Sequence, residues 1–444
     1  MASMAIFSPY TLYAVELPAF PGAEGYGAVA LGGRNGKVIK VTNFKDDGPG
    51  SLQAACAEKG PRIIIFEKAG VIKGDVAIKS PYITIAGQTA PSPGVTLAGR
   101  LLARPEDDIR LHDIVIRFLR IRPPRALGHG GDAIQLPKSE RIILDHLSLS
   151  WANDEMVDII HSSEVTIQWS TLEESDPVGH DKGIPHNFAI LSAYPGSGNI
   201  SIHHNLFAHH RRRLPSLSPQ VTGKPGDFRN NVIYNFKEGL NHDGHRPRQP
   251  INIIGNYYKR GPNAHIVLPF NFSPAGRYYL FGNYMEGLGG IPDPRNTWID
   301  FPLWVKYNHK GTKLNKPVKV ATVTTHNAIE AYKLVLNRAG TFPRDRVTKR
   351  TVSEVGQGTG SWGRHAPLNP DYTWFFRGVK SESPILDSDD DGIPDNWEEN
   401  HGLNKNDKDD YNKLMPSGYS AIEEYINERA EYLISSNVRN NNKK

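Results

Sequence analysis

Between Arg141 and Gly287 one short phrase recurs: an alternating apolar run, a polar residue, then another large apolar one. It reads Ile142-Ile143-Leu144-Asp145-His146-Leu147-Ser148-Leu149, then Thr166-Ile167-Gln168-Trp169-Ser170-Thr171-Leu172. It returns at Ile202–Phe207, Phe228–Ile233, Ile253–Tyr258 and Leu280–Met285. The equivalent positions 147, 170, 205, 231, 256 and 283 are separated by 23, 35, 26, 25 and 27 residues. A step near 25 built on period-2 strands is the mark of a β-solenoid, and the step of 35 marks a coil with a long loop. Helical solenoids are excluded because no helix-period pattern runs through these segments. The asparagines at the last four positions suit a turn where stacked amides bond along the axis. Earlier runs (Val38–Val41, Ile63–Phe66, Ile83–Ala86, Val95–Ala98, Ile114–Ile121) read as preceding coils. The expected fold is all-β, a right-handed parallel β-helix (solenoid) with a short helical C-terminal segment.

At 444 residues the chain exceeds one ordinary compact core, which an elongated repeat accommodates. Hydrophobic residues at 38% with Gly 42 and Pro 33 fit many turns per unit length. A net charge of +5 is too small for a general nucleic-acid binder but compatible with an anionic partner. A single cysteine, Cys56, excludes an intrachain disulfide. No window reaches the ~20 apolar residues of a membrane span, so neither membrane nor nucleic acid is expected as a partner, and a monomer is expected. Residues 1–19 read as a tag or signal-peptide remnant, in keeping with a secreted or periplasmic protein. The expected organisation is a β-helix over 20–300, a basic segment and helix packing on the solenoid over 301–380, a helical cap over 381–434 and a disordered tail over 435–444.

In the second of these regions, Lys306, Lys310, Lys313, Lys316 and Lys319 form a basic stretch, read as a solvated face with a substrate patch as the alternative. A helix follows, capped by Asn327, with Ala328, Tyr332, Val335 and Leu336 as its apolar stripe and Gly340 past its end. In the third, Asp387, Asp389, Asp391, Asp395 and Glu398 stand at positions 1, 3, 5, 9 and 12 of a loop. Gly392 holds position 6, and the carbonyl of Ile393 holds position 7. That is the spacing of a twelve-residue calcium loop, here structural, anchoring a small helical cap.

The middle coils carry the chemistry. Asp154 and Asp158 share one strand face but stand about 13–14 Å apart if fully extended, so a loop must curl Asp154 back if both hold one ion. Asp132 lies 26 residues before Asp158 and is expected to stack beneath it, one coil earlier. Three carboxylates on one face need a cation or an ordinary solvated surface, and the residues alone leave both open. In His209-His210-Arg211-Arg212-Arg213-Leu214-Pro215 three planar guanidinium forks suit carboxylate recognition, a surface charge run being the alternative. The histidines His203, His204, His209 and His210 read as turn-lining and stacking groups, without a zinc pattern around them. Gly32-Gly33-Arg34-Asn35-Gly36 is no phosphate loop, since no Lys-Ser/Thr follows it.

Together these residues resemble a family. Phe20-Pro21-Gly22-Ala23-Glu24-Gly25-Tyr26-Gly27, Gly32-Gly33-Arg34, Val41-Thr42-Asn43 and Gly48-Pro49-Gly50-Ser51-Leu52 are similar to the start of bacterial pectate lyases of polysaccharide lyase family 1. So are Asp145–Trp151, His203-His204-Asn205, Arg213-Leu214-Pro215, Asp227–Asn231 and the Asp387 loop, the likeness running from about Phe20 to Asn427. The resemblance implies Ca2+-dependent β-elimination on polygalacturonate. Asp132, Asp154 and Asp158 match the family's calcium-binding acids. Arg213 matches the arginine that removes the C5 proton and is expected on the coil following the Asp154/Asp158 strand. Lys182 matches a lysine that binds the substrate carboxylate. A second family arginine is replaced by Ser218, with Arg246 or Arg248 as substitutes for its substrate contact. An arginine ordinarily stays protonated, so Arg213 serves either as the base or as a stabiliser of charge. Two other functions remain open from sequence: a polygalacturonase-like hydrolase using a carboxylate pair and water, and a non-catalytic polysaccharide-binding β-helix.

Overall fold

The computed structural model describes residues 17–106, 109–125, 131–178, 186–218, 223–242, 249–263, 268–286 and 312–441. Lys182, Arg246, Arg248, Lys306 and Lys310 lie outside the described residues. Three parallel sheets run the length of a β-helix; among the described residues they hold 11, 8 and 9 strands. Each coil contributes one strand to each sheet. One coil is Glu140–Asp145, Ser148–Ser150 and Val157–Asp158; the next is Ser163–Gln168, Thr171–Glu173 and Ile190–Ala193. In-register pairing places Ile142 against Val165, and Val165 against Ile200. The step of 35 residues is the coil whose strands Thr171–Glu173 and Ile190–Ala193 are separated by the long segment 174–189.

The repeat phrase is a two-residue turn between the first and third sheets. Its first residue takes positive φ (His146 51°, Trp169 48°, His204 55°, Asn230 54°) and glycine holds the position at 255 and 282. Its second residue builds a ladder. Asn205, Asn231 and Asn256 each donate an amide to the carbonyl oxygen of the next asparagine, at 3.1, 3.1 and 3.0 Å, ending at Asn283. Each amide also donates to a backbone carbonyl, such as Asn231 to Ile202 at 2.9 Å. These groups are buried, so the ladder satisfies turn backbone that water cannot reach. The inward side chains, chiefly Ile, Leu, Val and Phe, form one continuous core along the axis.

The solenoid does not stop at residue 300: Thr312–Lys313 adds a further strand to the first sheet beside Arg277 and Tyr278. The helix Ala328–Arg338 is capped by Asn327 and packs on the outside of the third sheet, against Leu206, Val232 and Tyr257. A second helix, Arg346–Gln357, has no counterpart in the sequence expectation; Asp345 caps it while accepting both Nε and Nη2 of Arg122. The last helix runs Ala421–Asn441, so the tail expected from residue 435 is helical for most of its length. Ile434 is buried with Phe118 and Phe342, and Asn437 donates to the Asn337 carbonyl, which extends the docked part past the expected boundary. No helix among the described residues is long and apolar enough to cross a membrane.

Candidate functional site

The second sheet stacks Ile134–Gln135, Val157–Asp158, Ile190–Ala193 and Ser216–Ser218 in consecutive coils. The candidate residues sit at the entry to these strands. Register puts Gln135, not Asp132, beside Asp158. Asp132 instead lies beneath Glu155, whose backbone N–H donates to Asp132 Oδ1 at 2.9 Å. The offset between these coils is 23 residues rather than 26, as the pairing of Ile134 with Val157 and Gln135 with Asp158 shows. Carboxylate oxygens of Asp132, Asp154 and Glu155 come within 4.8 Å of one another, so Asp154 meets Asp132 and Glu155 and not, as expected, Asp158. Asp158 is outside that trio but close enough for its charge to act on Asp132.

The electrostatics follow from crowding. Burial, then the charges of Asp158 and Asp154, hold the Asp132 carboxyl well above the usual range, against the opposing pull of Arg100 and Arg213. Burial, with Asp154 adding to it, pushes Asp158 up to about 6. Buried anions raised by one another are relieved by a cation, and three all-oxygen ligands suit a hard one. His186 Nδ1 stands 2.7 Å from Asp154 Oδ1 and its ring stacks on Phe188.

Arg213 is two coils after Asp154, not one. The long-loop coil is a complete turn of the solenoid and lies between them, its Ile190 N–H donating to the Arg213 carbonyl. The guanidinium reaches back across it, 4.2 Å over the Phe188 ring, to pair with Glu155. Arg213 has φ 59°, and Asn241 Oδ1 accepts its N–H at 3.0 Å, which fixes the direction of the side chain. Arg212 turns the other way, onto Glu238 at 3.1 Å. Ser218 ends the strand Ser216–Ser218 and pairs in register with Ala193. Glu155 is the cluster member that the sequence reading did not count among the calcium ligands, considering it only for a hydrolase's carboxylate pair; its adjacency to Asp154 was the available signal. The four histidines of the solenoid turns are buried, His204 stacking on Trp169, and none joins a metal-ligand cluster among the described residues.

A second acidic centre lies at the far end of the chain. Oxygens of Asp387, Asp389 and Asp391 fall within 4.8 Å of one another, as do those of Asp391, Glu398 and Asp410. Asp389 Oδ2, Asp391 Oδ2, Asp410 Oδ1 and both oxygens of Glu398 are buried without a hydrogen-bond partner. Burial and mutual repulsion push Asp391 up to about 7 and Glu398 up to about 8. Orphaned buried carboxylates converging from three elements fit a divalent cation. Asp395 does not join them: its carboxylate accepts the N–H and hydroxyl of Ser388, both at 2.7 Å, closing the loop from the start of the helix Asp395–His401. Ile393 turns its side chain into the core beside Ile63, Ile65 and Trp397, leaving the backbone to face the loop. Asp410, outside the twelve-residue spacing, replaces Asp395 in the cluster.

No family model matches the chain. It is 33% identical over 440 residues to "Probable pectate lyase C" of Aspergillus fumigatus, covering 96% of each chain. It is 32% identical over 443 residues to the protein of that name from Neosartorya fischeri, again 96% of each. "Probable pectate lyase 4" of Arabidopsis thaliana matches at 35% over 171 residues, 36% of this chain and 45% of that one. Among solved structures, jun a 1, the major allergen from cedar pollen, aligns with 72% of this chain and 92% of its own at 18% identity and a TM-score of 0.47. The relatives named here are fungal and plant proteins, so the bacterial origin to which the sequence motifs pointed is not confirmed. Likeness that runs through the solenoid and on into the C-terminal loop makes this chain a member of the pectate lyase family of polysaccharide lyases.

Proposed function

We propose that the protein is a secreted, calcium-dependent pectate lyase that cleaves polygalacturonate by β-elimination to 4,5-unsaturated oligogalacturonides. The reading rests on one observation: the trio Asp132, Asp154 and Glu155 converges opposite Arg213 in a member of this family. Calcium held by that trio, with Asp158 beside it, supplies positive charge that offsets the uronate carboxylate and lowers the cost of a carbanion at C5. Asp132 is held in place by Glu155 N–H and by Gln135, whose amide donates to Oδ2 at 3.2 Å. Arg213 faces the same space. Glu155, a member of the trio, pairs with its guanidinium and so ties Arg213 to the cation site. In this scheme Arg213 either accepts the C5 proton or stabilises the developing charge while hydroxide accepts it; the C5–H electron pair forms C4=C5, the C4–O bond breaks and the departing oxygen takes up a proton, so that no water is consumed. Lys182, with Arg246 or Arg248, binds substrate carboxylates in this scheme. The Asp387–Glu398 loop with Asp410 holds a second, structural calcium.

The experiment is product absorbance in the ultraviolet on polygalacturonate, with calcium and with chelator. A calcium-dependent rise from the new double bond is expected. Reducing ends formed without absorbance would replace this reading with hydrolysis.

A further inference from the structure

A groove of about 870 Å3 opens beside the acid cluster and runs toward the earlier coils. Gly131 and Asn153 line its near end, each next in sequence to a residue of the trio. Its floor includes Gly74 and Gly99: Gly99 packs so closely on the next coil that a Cβ would stand 1.9 Å from the Gly74 carbonyl oxygen, while no atom lies within 4 Å of a Cβ position on Gly74, so bare backbone faces open space there. Its basic edge is Lys73 and Arg100, on adjacent coils whose strands stack ~4.8 Å apart. Lys73 is exposed and no ion pair engages it among the described residues. Arg100 is braced by Asp75, whose carboxylate accepts its Nε at 3.0 Å and Nη2 at 2.5 Å.

The opposite wall comes from outside the solenoid. Residues 368–373 supply Leu368, which is 51% exposed, and Tyr372. That wall is fixed at three points. Arg125 N–H donates to the Pro367 carbonyl at 3.0 Å, Tyr372 hydroxyl donates to the Arg122 carbonyl at 3.0 Å, and Phe375 packs on Trp151 at 5.3 Å. The remaining acid on this wall, Asp371, turns into its own helix to accept Thr373 and Trp374 N–H groups.

A flat backbone floor, a cationic edge and an apolar wall match a sugar ring that carries one carboxylate. We propose that this groove holds the stretch of polyuronate next to the sugar undergoing cleavage, with Lys73 and Arg100 pairing with successive carboxylates and residues 368–373 confining the chain. This rests on the lyase reading above and adds to it a recognition site for longer substrates.

The test compares kcat/KM on polygalacturonate with that on the shortest oligogalacturonide cleaved, for the wild type, Lys73→Gln and Leu368→Asp. Both positions are exposed, whereas removing Arg100 would strand Asp75. Each variant is expected to lose about tenfold on the polymer, the scale of one charge-assisted hydrogen bond, and to keep its rate on the short substrate. An unchanged ratio of long to short in both variants would overturn the groove assignment and leave the lyase reading standing. If the wild type forms no unsaturated product from any substrate, the lyase reading fails. Calorimetric titration with polygalacturonate then decides the groove, equal affinities for wild type and Lys73→Gln overturning it and a loss in the variant supporting it.

Discussion

The C-terminal acidic centre is a clamp between distant parts of the chain. Asp387 pairs with Lys40 at 3.0 Å, and Gly392 lies so close to Val38 and Ile65 that a Cβ would stand 2.7 Å from each. Ile393 and Trp397 extend the contact into Ile63 and Ala86. Removing calcium should therefore loosen the cap from the first coils, and the sign with pH follows from the carboxyls. Asp391 moves from 3.8 to about 7 on folding and Glu398 from 4.5 to about 8. Between those values the folded, calcium-free protein binds more protons than the unfolded chain, so its stability falls as pH rises from about 4 to about 8. Calcium replaces those protons, so its stabilisation should be small at pH 5 and largest at pH 8. At a hundredfold excess over Kd, a ligand adds about 2.7 kcal/mol. With about 2.1 cal/mol/K of unfolding entropy per residue over 444 residues, that is ~3 °C if the chain melts as one unit. A cap melting alone, with fewer residues, would shift further. Scanning calorimetry at pH 5 and pH 8, with calcium and with chelator, measures this for the wild type and Asp410→Asn. The variant should lose most of the calcium shift at pH 8. Identical melting with and without calcium at pH 8 would refute the clamp, and a wild-type shift in Asp410→Asn would remove Asp410 from it.

Three further outcomes are expected. Asp132→Asn should abolish calcium-dependent elimination and remove one bound calcium by titration while the cap's calcium stays; retained turnover would show that the trio is not the catalytic centre. Arg213→Lys keeps the charge but misplaces the nitrogen, so kcat should fall by roughly 10²–10³ with little change in KM, and near wild-type kcat would end its assignment. Asn231→Ala leaves the Ile202 carbonyl and the Asn205 N–H without their partners, and should cost ~3 kcal/mol in chemical denaturation; a loss below 1 kcal/mol would mean the ladder is replaced by water.

What the repeat made legible was the architecture, because a coil buries its inward side chains only by stacking on copies of itself. The asparagines at 205, 231, 256 and 283 are spaced by that stacking, and the amide ladder is its direct consequence. The helix Arg346–Gln357 was hidden for the opposite reason. Its cap, Asp345, is paired with Arg122 from 223 residues earlier, and both side chains are fully buried. Nothing local marks an aspartate that serves a helix N–H and a solenoid arginine together. The same holds for the strand Thr312–Lys313, too short to show a period but completed by the sheet edge it joins.

At the site, motif residues were legible and their partners were not. Asp132, Asp154 and Arg213 stand out by type and neighbours, yet which atoms meet depends on coil register to a single residue. An offset of 23 puts Glu155 over Asp132 and leaves Asp158 over Gln135. An intervening coil makes Arg213 reach back over Phe188 to find Glu155. Asp410 enters its cluster because the chain folds back after the helix Asp395–His401, while Asp395, at a ligand position by spacing, is drawn off by Ser388. In both centres the sequence names carboxylates that must be neutralised, and long-range geometry selects the ones that converge. The contact between Glu155 and Arg213 is the sharper case: one glutamate belongs to the acid cluster and pairs with the arginine, so the two halves of the site meet in a residue that no spacing rule singles out.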